Sequence, residues 1–326
     1  MTVSILVPIY NVEKYIGRCA ESLFSQTYRD IEYVFVDDCT PDGSVGVLRS
    51  VMARYPGREA QVRIIRNERN SGIGAVRQRL IDESTGGCVT FVDSDDYLPP
   101  RAVELMCAEM ERGGADIVDG AWQRATREGV SAVNLPYQGR DENTYLRLML
   151  CQNIVSNRMW GRLYRRSLFT ANNIRLVAGI DFGEDYSVMT RLMFYARRSF
   201  INEPVYFYSN ENSSSYTHNI SPCHVRSYLM ACRVVLDFFT ANDTAGSYLT
   251  ATQLGMTNAL RTMRRLGCGF TDVDTLLGYK PKGAVFTMLT AMLRGKCPFR
   301  LADTAYLAVR KLYTVIAGGG NRGEAL

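Results

Sequence analysis

The first hundred residues of this chain alternate between short apolar runs and helical segments with one apolar face. The apolar runs are typical of strands buried on both faces of a sheet, and they cover 3–7, 33–36, 62–65 and 89–92. Between them apolar residues recur at helical spacing, as Ile73, Val76 and Leu80 do. Strands that alternate with helices imply βαβ units with right-handed crossovers. The sequence therefore predicts an α/β fold around a mostly parallel sheet.

Polar residues stand where three of these predicted strands end. The clusters are Pro-Ile-Tyr-Asn at 8–11, Asp-Asp at 37–38 and Asp-Ser-Asp-Asp at 93–96. Ligands of such sheets lie beyond the carboxyl ends of the strands, so we expect the three clusters to meet at one rim. Asn11 is also expected to cap the first helix.

The acidic run after the fourth strand places three aspartates within four positions. Carboxylates this close repel one another unless a cation shares their charge. Their hard oxygen atoms suit Mg²⁺ or Mn²⁺, which prefer one or two carboxylates plus substrate phosphates. The run thus indicates a diphosphate held through a metal ion. A solvated acidic turn that caps the next helix is the alternative.

Two other acidic positions allow a chemical or a structural interpretation. Asp38 closes the second strand, where its carboxylate can accept a hydrogen bond from the N3–H of a uracil; the alternative is a turn residue. Glu184 and Asp185 open a later helix, where acidic residues usually complement the helix dipole. The chemical alternative is a general base that takes the proton of an acceptor hydroxyl while a nucleoside diphosphate leaves with inversion.

The segment 67–77 leads from the third strand into a helix. Its N-terminal amides and the Arg77 guanidinium would both favour a diphosphate. The glycines at 72 and 74 half-resemble a dinucleotide fingerprint. Arg77 replaces the third glycine, however, and the motif follows the third strand, not the first. A nicotinamide dehydrogenase is therefore disfavoured.

Charge and cysteine content narrow the range of possible substrates and cellular locations. The net charge of +5 fits anionic substrates or a weak attraction to anionic lipid, but it is too small to argue for nucleic acid. The nine cysteines form no C-x-x-C pair, which is typical of reduced cysteines in the cytosol. We predict no signal peptide, and the longest weakly polar stretch, 283–293, is too short to span a bilayer. A cytoplasmic protein is expected.

After residue 101 the pattern changes. Shorter strands, expected as antiparallel additions to the sheet, are predicted at 116–118 and 205–208, and the polar loop 210–217 is long enough to fold over a site. The chain after His224 reads as wholly helical, and the last helix, 300–316, carries an apolar stripe. The stripe consists of Ala305, Val309, Leu312 and Ile316.

Basic residues flank the apolar helical stretches of this last third. They are Lys280, Lys282, Arg294, Lys296, Arg300, Arg310 and Lys311. Basic amphipathic helices can lie on a membrane surface. They can equally pack on a catalytic domain with the basic residues in water, and the sequence leaves both open.

Four blocks of the chain, in order, resemble family 2 glycosyltransferases of the GT-A fold. The blocks are 3–11, 22–28, 32–44 and 93–96, and the resemblance covers roughly residues 2–210. It implies a Rossmann-like α/β domain whose mostly parallel central sheet is flanked by helices. The nucleotide-sugar-binding half would be 1–100 and the acceptor-binding half 101–222, followed by a C-terminal helical extension at 223–326.

The resemblance also implies an activity. The chain would be an inverting, metal-dependent glycosyltransferase that moves a sugar from a nucleotide-sugar, usually a UDP-sugar, to a glycan or lipid-linked acceptor. Cell-surface polysaccharide synthesis is the expected setting, and Mg²⁺ or Mn²⁺ the expected cofactor. A peripheral position on the inner face of the cell membrane, reached through the C-terminal helices, is consistent with such an acceptor.

Site residues follow from the resemblance by position. The donor-binding residues are Pro8, Tyr10, Asp37, Asp38 and Asp93, with Arg77 added from the helix start. Asp95 would ligate the metal and Asp185 would be the general base. A late-loop histidine reaches the metal in some relatives, and His218 lies in that region. The segment 160–164 resembles the part of the family that forms the acceptor side.

The chain departs from the family pattern at 39–41, where Cys-Thr-Pro replaces the commoner Gly-Ser-Thr. Two alternatives to an active transferase stay open. One is a catalytically inactive nucleotide-sugar-binding partner. The other is a nucleotidyltransferase, which would normally have a glycine-rich loop with a basic residue after the first strand, where this chain has 8–11.

Overall fold

The computed structural model describes residues 1–126, 128–139, 141–152, 155–212, 222–267 and 273–317. Within these ranges the strands are β1 (Val3–Ile9), β2 (Ile31–Asp37), β3 (Val62–Arg66), β4 (Cys88–Phe91), β5 (Ile117–Thr126), β6 (Gly129–Val130), β7 (Arg162–Arg165) and β8 (Arg198–Ser209). The α-helices are α1 (Ile16–Phe24), α2 (Ser44–Met52), α3 (Ile73–Glu83), α4 (Ala102–Gly113), α5 (Glu142–Leu150), α6 (Ser167–Thr170), α7 (Glu184–Tyr195), α8 (Pro222–Asn242), α9 (Leu249–Arg265), α10 (Ala284–Arg294) and α11 (Phe299–Ala317).

The chain divides into two compact units, each made of three segments. The first unit consists of Met1–Arg140, Arg158–Asp181 and Tyr195–Asn219, and the second of Asp141–Asn157, Phe182–Phe194 and Ile220–Leu326. The whole sheet belongs to the first unit, and α5, most of α7 and α8 to α11 belong to the second. The division into functional halves near residue 100, with an extension after 222, remains a prediction.

The sheet has the order β3-β2-β1-β4-β7-β5-β6, with β8 paired to β5. The four predicted N-terminal strands are confirmed, and β1, β2, β3 and β4 are mutually parallel where they pair. Strand β7, which we did not predict, is antiparallel to both β4 and β5. The expectation of antiparallel additions was wrong for β8, which runs parallel to β5. Because β7 is antiparallel to both β4 and β5, strands β5 and β8 run in the same direction as the N-terminal strands.

The N-terminal strands and helices bury the apolar residues that predicted them. Strand β1 is inaccessible on nearly every residue, as expected of a central strand covered on both faces. Helix α1 buries its apolar stripe, including Ile16, Cys19 and Leu23, in the core of the first unit. Asn11 does not cap this helix, so that prediction was wrong. Asn11 has φ 54°, and its amide donates to Thr40 Oγ1 at 2.8 Å, five residues before the helix begins.

The helical C-terminal pattern is confirmed, and the last helix closely matches its prediction. In the second unit Leu254, Leu289 and Tyr306 are fully buried in a common core. Helix α11 reaches this core through Ala302 and Tyr306, whereas Leu312 and Ile316 of the predicted stripe are 62% and 69% exposed. Among the described helices, none is long and apolar enough to cross a membrane.

Candidate functional site

The polar clusters meet at the carboxyl edge of the parallel strands. In register, Ile9 lies beside Asp37, and Asp37 lies beside Arg66 at the end of β3. The amide of Asp38 donates to the carbonyl of Ile9 at 3.0 Å, which joins the ends of β1 and β2. Strand β4 pairs with β1 on its other side, so the acidic run emerges at the same edge. The predicted common rim is confirmed.

Asp38 is buried and accepts hydrogen bonds from the loop that follows β3. Its Oδ1 accepts from Asn67 Nδ2 at 2.6 Å and from the amide of Ser71 at 2.9 Å. Its Oδ2 accepts from the amide of Gly72 at 3.0 Å and shares the amide of Ser71 at 3.1 Å. Three donors thus make four hydrogen bonds to a carboxylate that offers about four acceptor sites. The side chain is only 4% exposed, and a ligand must reach it along the rim.

Asp37 is held by its own turn and by a neighbouring strand. Oδ1 accepts from the amide of Thr40 at 2.7 Å, and Oδ2 pairs with Arg66 at 2.8 Å. The turn passes through Cys39 with φ 57°, a left-handed conformation that costs a non-glycine residue some energy. Here the unusual Cys-Thr-Pro sequence still forms a defined turn, and it leaves Asp38 at the rim.

The acidic run after β4 has a different character. Asp96 is buried and accepts from Tyr206 Oη at 2.7 Å and from the amide of Ser209 at 2.6 Å. Burial, and then the charges of Asp95 and Asp93, raise the pKa of the Asp96 carboxyl well above its ordinary value. Burial and the charge of Asp93 likewise raise the pKa of Asp95. Negative charge is therefore crowded at this strand end.

Asp95 and Asp93 contact different parts of the first unit. Asp95 Oδ2 accepts from Asn212 Nδ2 at 2.8 Å, at the start of the predicted polar loop. Asp93 Oδ1 pairs with the buried Arg77 guanidinium at 2.9 Å. The sequence suggested that Arg77 would point at a diphosphate; in this structure it neutralises part of the acidic run.

The start of α3 explains the glycine pattern at 72 and 74. The amide of Gly74 donates to Asp181 Oδ1 at 3.0 Å. A Cβ added at Gly74 would lie 2.4 Å from the carbonyl oxygen of Ile180, and one at Gly72 would lie 2.4 Å from Asp181 Oδ1. Gly72 also has φ +83°. The half-fingerprint is therefore a place of close backbone approach, and the amides at this helix start donate to the protein's own carboxylates.

Four further predicted site residues are Pro8, Tyr10, Asp185 and His218. Tyr10 follows β1 directly and is 46% exposed, whereas Pro8 within β1 is half-buried. Asp185 lies in the first turn of α7, in the second unit, and the other residues named so far lie in the first. His218 lies outside the described residues, so its prediction is untested.

Sequence reasoning missed the residues that hold the two strand ends. Tyr206 bonds Asp96, and its ring stacks on Trp160 with centroids 4.5 Å apart. Asn67 and Ser71 hold Asp38, and Asp181 holds α3. Nothing in the residue type of Asp181 distinguishes it from a solvated aspartate. Only the fold reveals these partners.

The side chains at this edge can be compared with the ligands that a divalent cation requires. Among the described residues, no group of three or more His, Cys, Asp or Glu side chains forms a ready metal site. Mg²⁺ and Mn²⁺ commonly take one or two carboxylates and complete their shell with phosphates and water. Crowded, partly buried carboxylates with raised pKa at Asp95 and Asp96 fit that mode, because a cation would relieve their repulsion. Asp95 is the residue that would hold it.

Comparison with known proteins places these features in a family. The sequence model described as Glycosyl transferase family 2 matches residues 4–171. The chain is similar to "Uncharacterized glycosyltransferase EpsJ" of Bacillus subtilis (strain 168), with 31% identity over 234 residues. That alignment covers 66% of this chain and 62% of the relative, so the chain matches less than two thirds of the relative's length.

Two solved structures share the fold. S. aureus TarS 1-349 in complex with UDP-GlcNAc has a TM-score of 0.62 at 21% identity, covering 95% of this chain and 92% of that one. The mannosyltransferase PcManGT from Pyrobaculum calidifontis, in complex with GDP-Man and Mn²⁺, has a TM-score of 0.53 at 18% identity, covering 95% and 87%. At these identities the likeness shows the fold. The predicted GT-A architecture, a central sheet flanked by helices and followed by C-terminal helices, is confirmed.

Proposed function

Because the chain belongs to glycosyl transferase family 2, we propose that it is an inverting, metal-dependent glycosyltransferase that uses a nucleotide-sugar donor. The observation that carries the proposal is the carboxylate cluster at the carboxyl edge of the sheet, where folds of this type bind ligands. A UDP-sugar is the proposed donor. The fold neighbour crystallised with UDP-GlcNAc supports that choice.

The chain's own residues suggest how the donor would be held. The N3–H of uracil would bond to Asp38, whose two oxygen atoms share the amide of Ser71 and could release one of those two contacts. The exposed ring of Tyr10 at the end of β1, with Pro8 and Asp37 beside it, would complete the nucleoside pocket. Asp93, oriented by Arg77, would face the ribose.

The chemical roles at the reacting end are also proposals. A divalent cation bound through Asp95, Mg²⁺ or Mn²⁺, would supply positive charge to the leaving diphosphate. Asp185 would accept the proton of the acceptor hydroxyl as that oxygen attacks the anomeric carbon. Gly183, two residues earlier, has φ +87°, and a Cβ there would lie 3.0 Å from the Tyr228 ring. Glycine is thus required where the chain enters α7.

We propose a glycan or lipid-linked acceptor and a role in cell-surface polysaccharide synthesis. The proposed location is the cytoplasm, on the inner face of the cell membrane. Family membership and the basic C-terminal helices support these assignments.

Donor binding can be tested by thermal shift with UDP, GDP, CDP and ADP, each with and without Mn²⁺. A ligand that binds only the folded state raises the free energy of unfolding by about 2.7 kcal/mol at a concentration of 100 times Kd, and the melting temperature rises with it. We expect the largest shift with UDP plus Mn²⁺ and little with UDP alone. A larger shift with another nucleotide would replace the donor, and no shift with any of them would remove the donor-binding proposal.

The general base can be tested by release of UDP from UDP-GlcNAc, UDP-glucose and UDP-galactose. We expect Asp185→Asn to reduce turnover by at least about 100-fold, because a positioned base contributes 10²–10⁴-fold. The nucleotide-dependent thermal shift should persist. Asp237→Asn, an exposed aspartate on α8 paired with Arg233, is the matched control and should keep full activity. Unimpaired turnover by Asp185→Asn would exclude this base, and a wild-type protein that binds UDP without turnover would be an inactive partner.

A further inference from the structure

The last two helices of the second unit present apolar side chains to solvent. Helix α10 buries Phe286, Leu289 and Leu293, yet its outer side exposes Val285 and Met288. Helix α11 leaves four large apolar residues well exposed. They are Leu301, Leu312, Val315 and Ile316. A surface helix normally carries polar or charged residues on its outer side, and these two helices depart from that pattern.

The segment that contains these helices accounts for the net positive charge of the chain. Between residues 278 and 317 there are seven basic residues and one acidic residue, so the segment has a net charge of +6, whereas the whole chain has +5. The single acid, Asp303, forms an ion pair with Arg261. Five of the seven basic residues are exposed: Lys280, Lys282, Lys296, Arg300 and Lys311. Exposed apolar residues thus lie within a strongly basic segment.

We infer that α10 and α11 form an interfacial surface that docks on a bilayer carrying anionic lipid. The two helices pack on each other, so their outer apolar residues belong to one part of the second unit. An amphipathic helix binds the headgroup region by burying apolar side chains and by attraction between basic residues and anionic lipid. Such a surface would hold the enzyme near a lipid-linked acceptor. Only this last role rests on the proposed function; binding to lipid does not.

Charge favours lipid over a second copy of the chain as the occupant. In a two-fold dimer the same patch would face itself, which would bring two segments of +6 together. Like charges across an interface are unfavourable, whereas an anionic bilayer complements this segment. Helix α11 buries Tyr306 and Ala302 in its own unit, and its exposed residues remain available for an external surface.

The test is flotation of the full chain with vesicles, which requires no donor and no turnover. We expect binding to vesicles of phosphatidylcholine with 30% phosphatidylglycerol (roughly the anionic content that gives strong surface attraction), and loss of most binding in high salt. Pure phosphatidylcholine vesicles should bind weakly. Changing Lys280, Lys282 and Lys311 to Gln should lower the partition coefficient roughly 100-fold, since each basic residue near an anionic surface contributes about fivefold.

The apolar contribution is tested separately. The triple variant Leu312→Gln, Val315→Gln and Ile316→Gln should lose vesicle binding while it keeps its helix content, because Gln is a good helix former. The matched control changes Val130, Val133 and Leu135, also exposed but in the first unit, to Gln and should bind as the wild type does. Equal binding by both triple variants, or no flotation of the wild type, would overturn the inference. Self-association without flotation, lost in the first variant, would assign the face to a second copy instead.

Discussion

The ends of strands β2 and β4 both present paired aspartates at the same sheet edge, yet they treat negative charge in opposite ways. At the end of β2, three donors from the following loop surround Asp38. At the end of β4, burial raises the pKa values of Asp95 and Asp96, and so does the charge of Asp93, with that of Asp95 added for Asp96. The first end is neutralised by hydrogen bonds within the protein. The second, the charge-loaded end, keeps its carboxylates crowded together.

The difference suggests that the two strand ends have different roles in the proposed donor site, one in binding the base and the other in binding the metal. A carboxylate fixed by backbone amides has one geometry and can read the hydrogen-bond pattern of a base. Crowded carboxylates repel one another, and a bound cation would relieve that repulsion. Stability and ligand binding should therefore respond in opposite ways when the two ends are changed.

The largest effect on stability is expected at the end of β2. Asp38→Ala would leave the buried amide of Asn67 and the loop amides of Ser71 and Gly72 without their acceptor, at 1–3 kcal/mol for each unsatisfied buried donor. We expect a loss of about 3 kcal/mol in the free energy of unfolding, measured by urea denaturation. Asp95→Ala is the matched change at the other end and should cost less than about 1 kcal/mol. Equal losses at the two positions would contradict the comparison.

A smaller loss is expected at the start of α3, which carries the Asp38 loop. Gly74→Ala would place a methyl group 2.4 Å from the carbonyl oxygen of Ile180, a backbone atom that cannot easily move. Overpacking of this kind costs about 1–3 kcal/mol, and urea denaturation should show it. Gly46→Ala in helix α2 is the control, because a Cβ there meets nothing within 4 Å. The control should gain up to about 1 kcal/mol from helix propensity. A neutral Gly74→Ala would mean that Asp181 and Ile180 are not held against this helix.

Local patterns explain why the fold of the N-terminal half was predictable. Buried parallel strands and amphipathic helices leave strong periodic signals, and β1 to β4 follow them with small shifts at their ends. Strand β7 was missed because its four residues, Arg-Leu-Tyr-Arg, are too few to show the alternation of apolar and polar residues that marks a strand. The parallel pairing of β8 with β5 was missed because it depends on the path of the chain between the two strands, for which the sequence of β8 holds no local signal.

The candidate site was only partly accessible to sequence reasoning. Strand ends predict which carboxylates share a rim, and Asp38 and Asp95 are found there. Partners from distant segments could not be predicted. Tyr206 reaches Asp96 across 110 positions of sequence, and Asp181 reaches Gly74 across 107. Contacts of that range arise from packing of the whole unit, for which a single sequence holds no local signal.

The smallest effect on stability, and the sharpest test of the charge-loaded end, is expected from Asp95→Asn. Without ligands the melting temperature should stay the same or rise slightly, because one of three crowded charges is removed while the amide remains able to accept from Asn212. With Mn²⁺ and UDP, the thermal shift of the wild type should be largely lost, since the proposed metal ligand is gone. Asp82→Asn on the surface of α3, paired with Arg175 in the wild type, should retain the full shift. A Mn²⁺-dependent shift that survives Asp95→Asn undiminished would move the metal to other residues and leave the acidic run as a helix-capping turn.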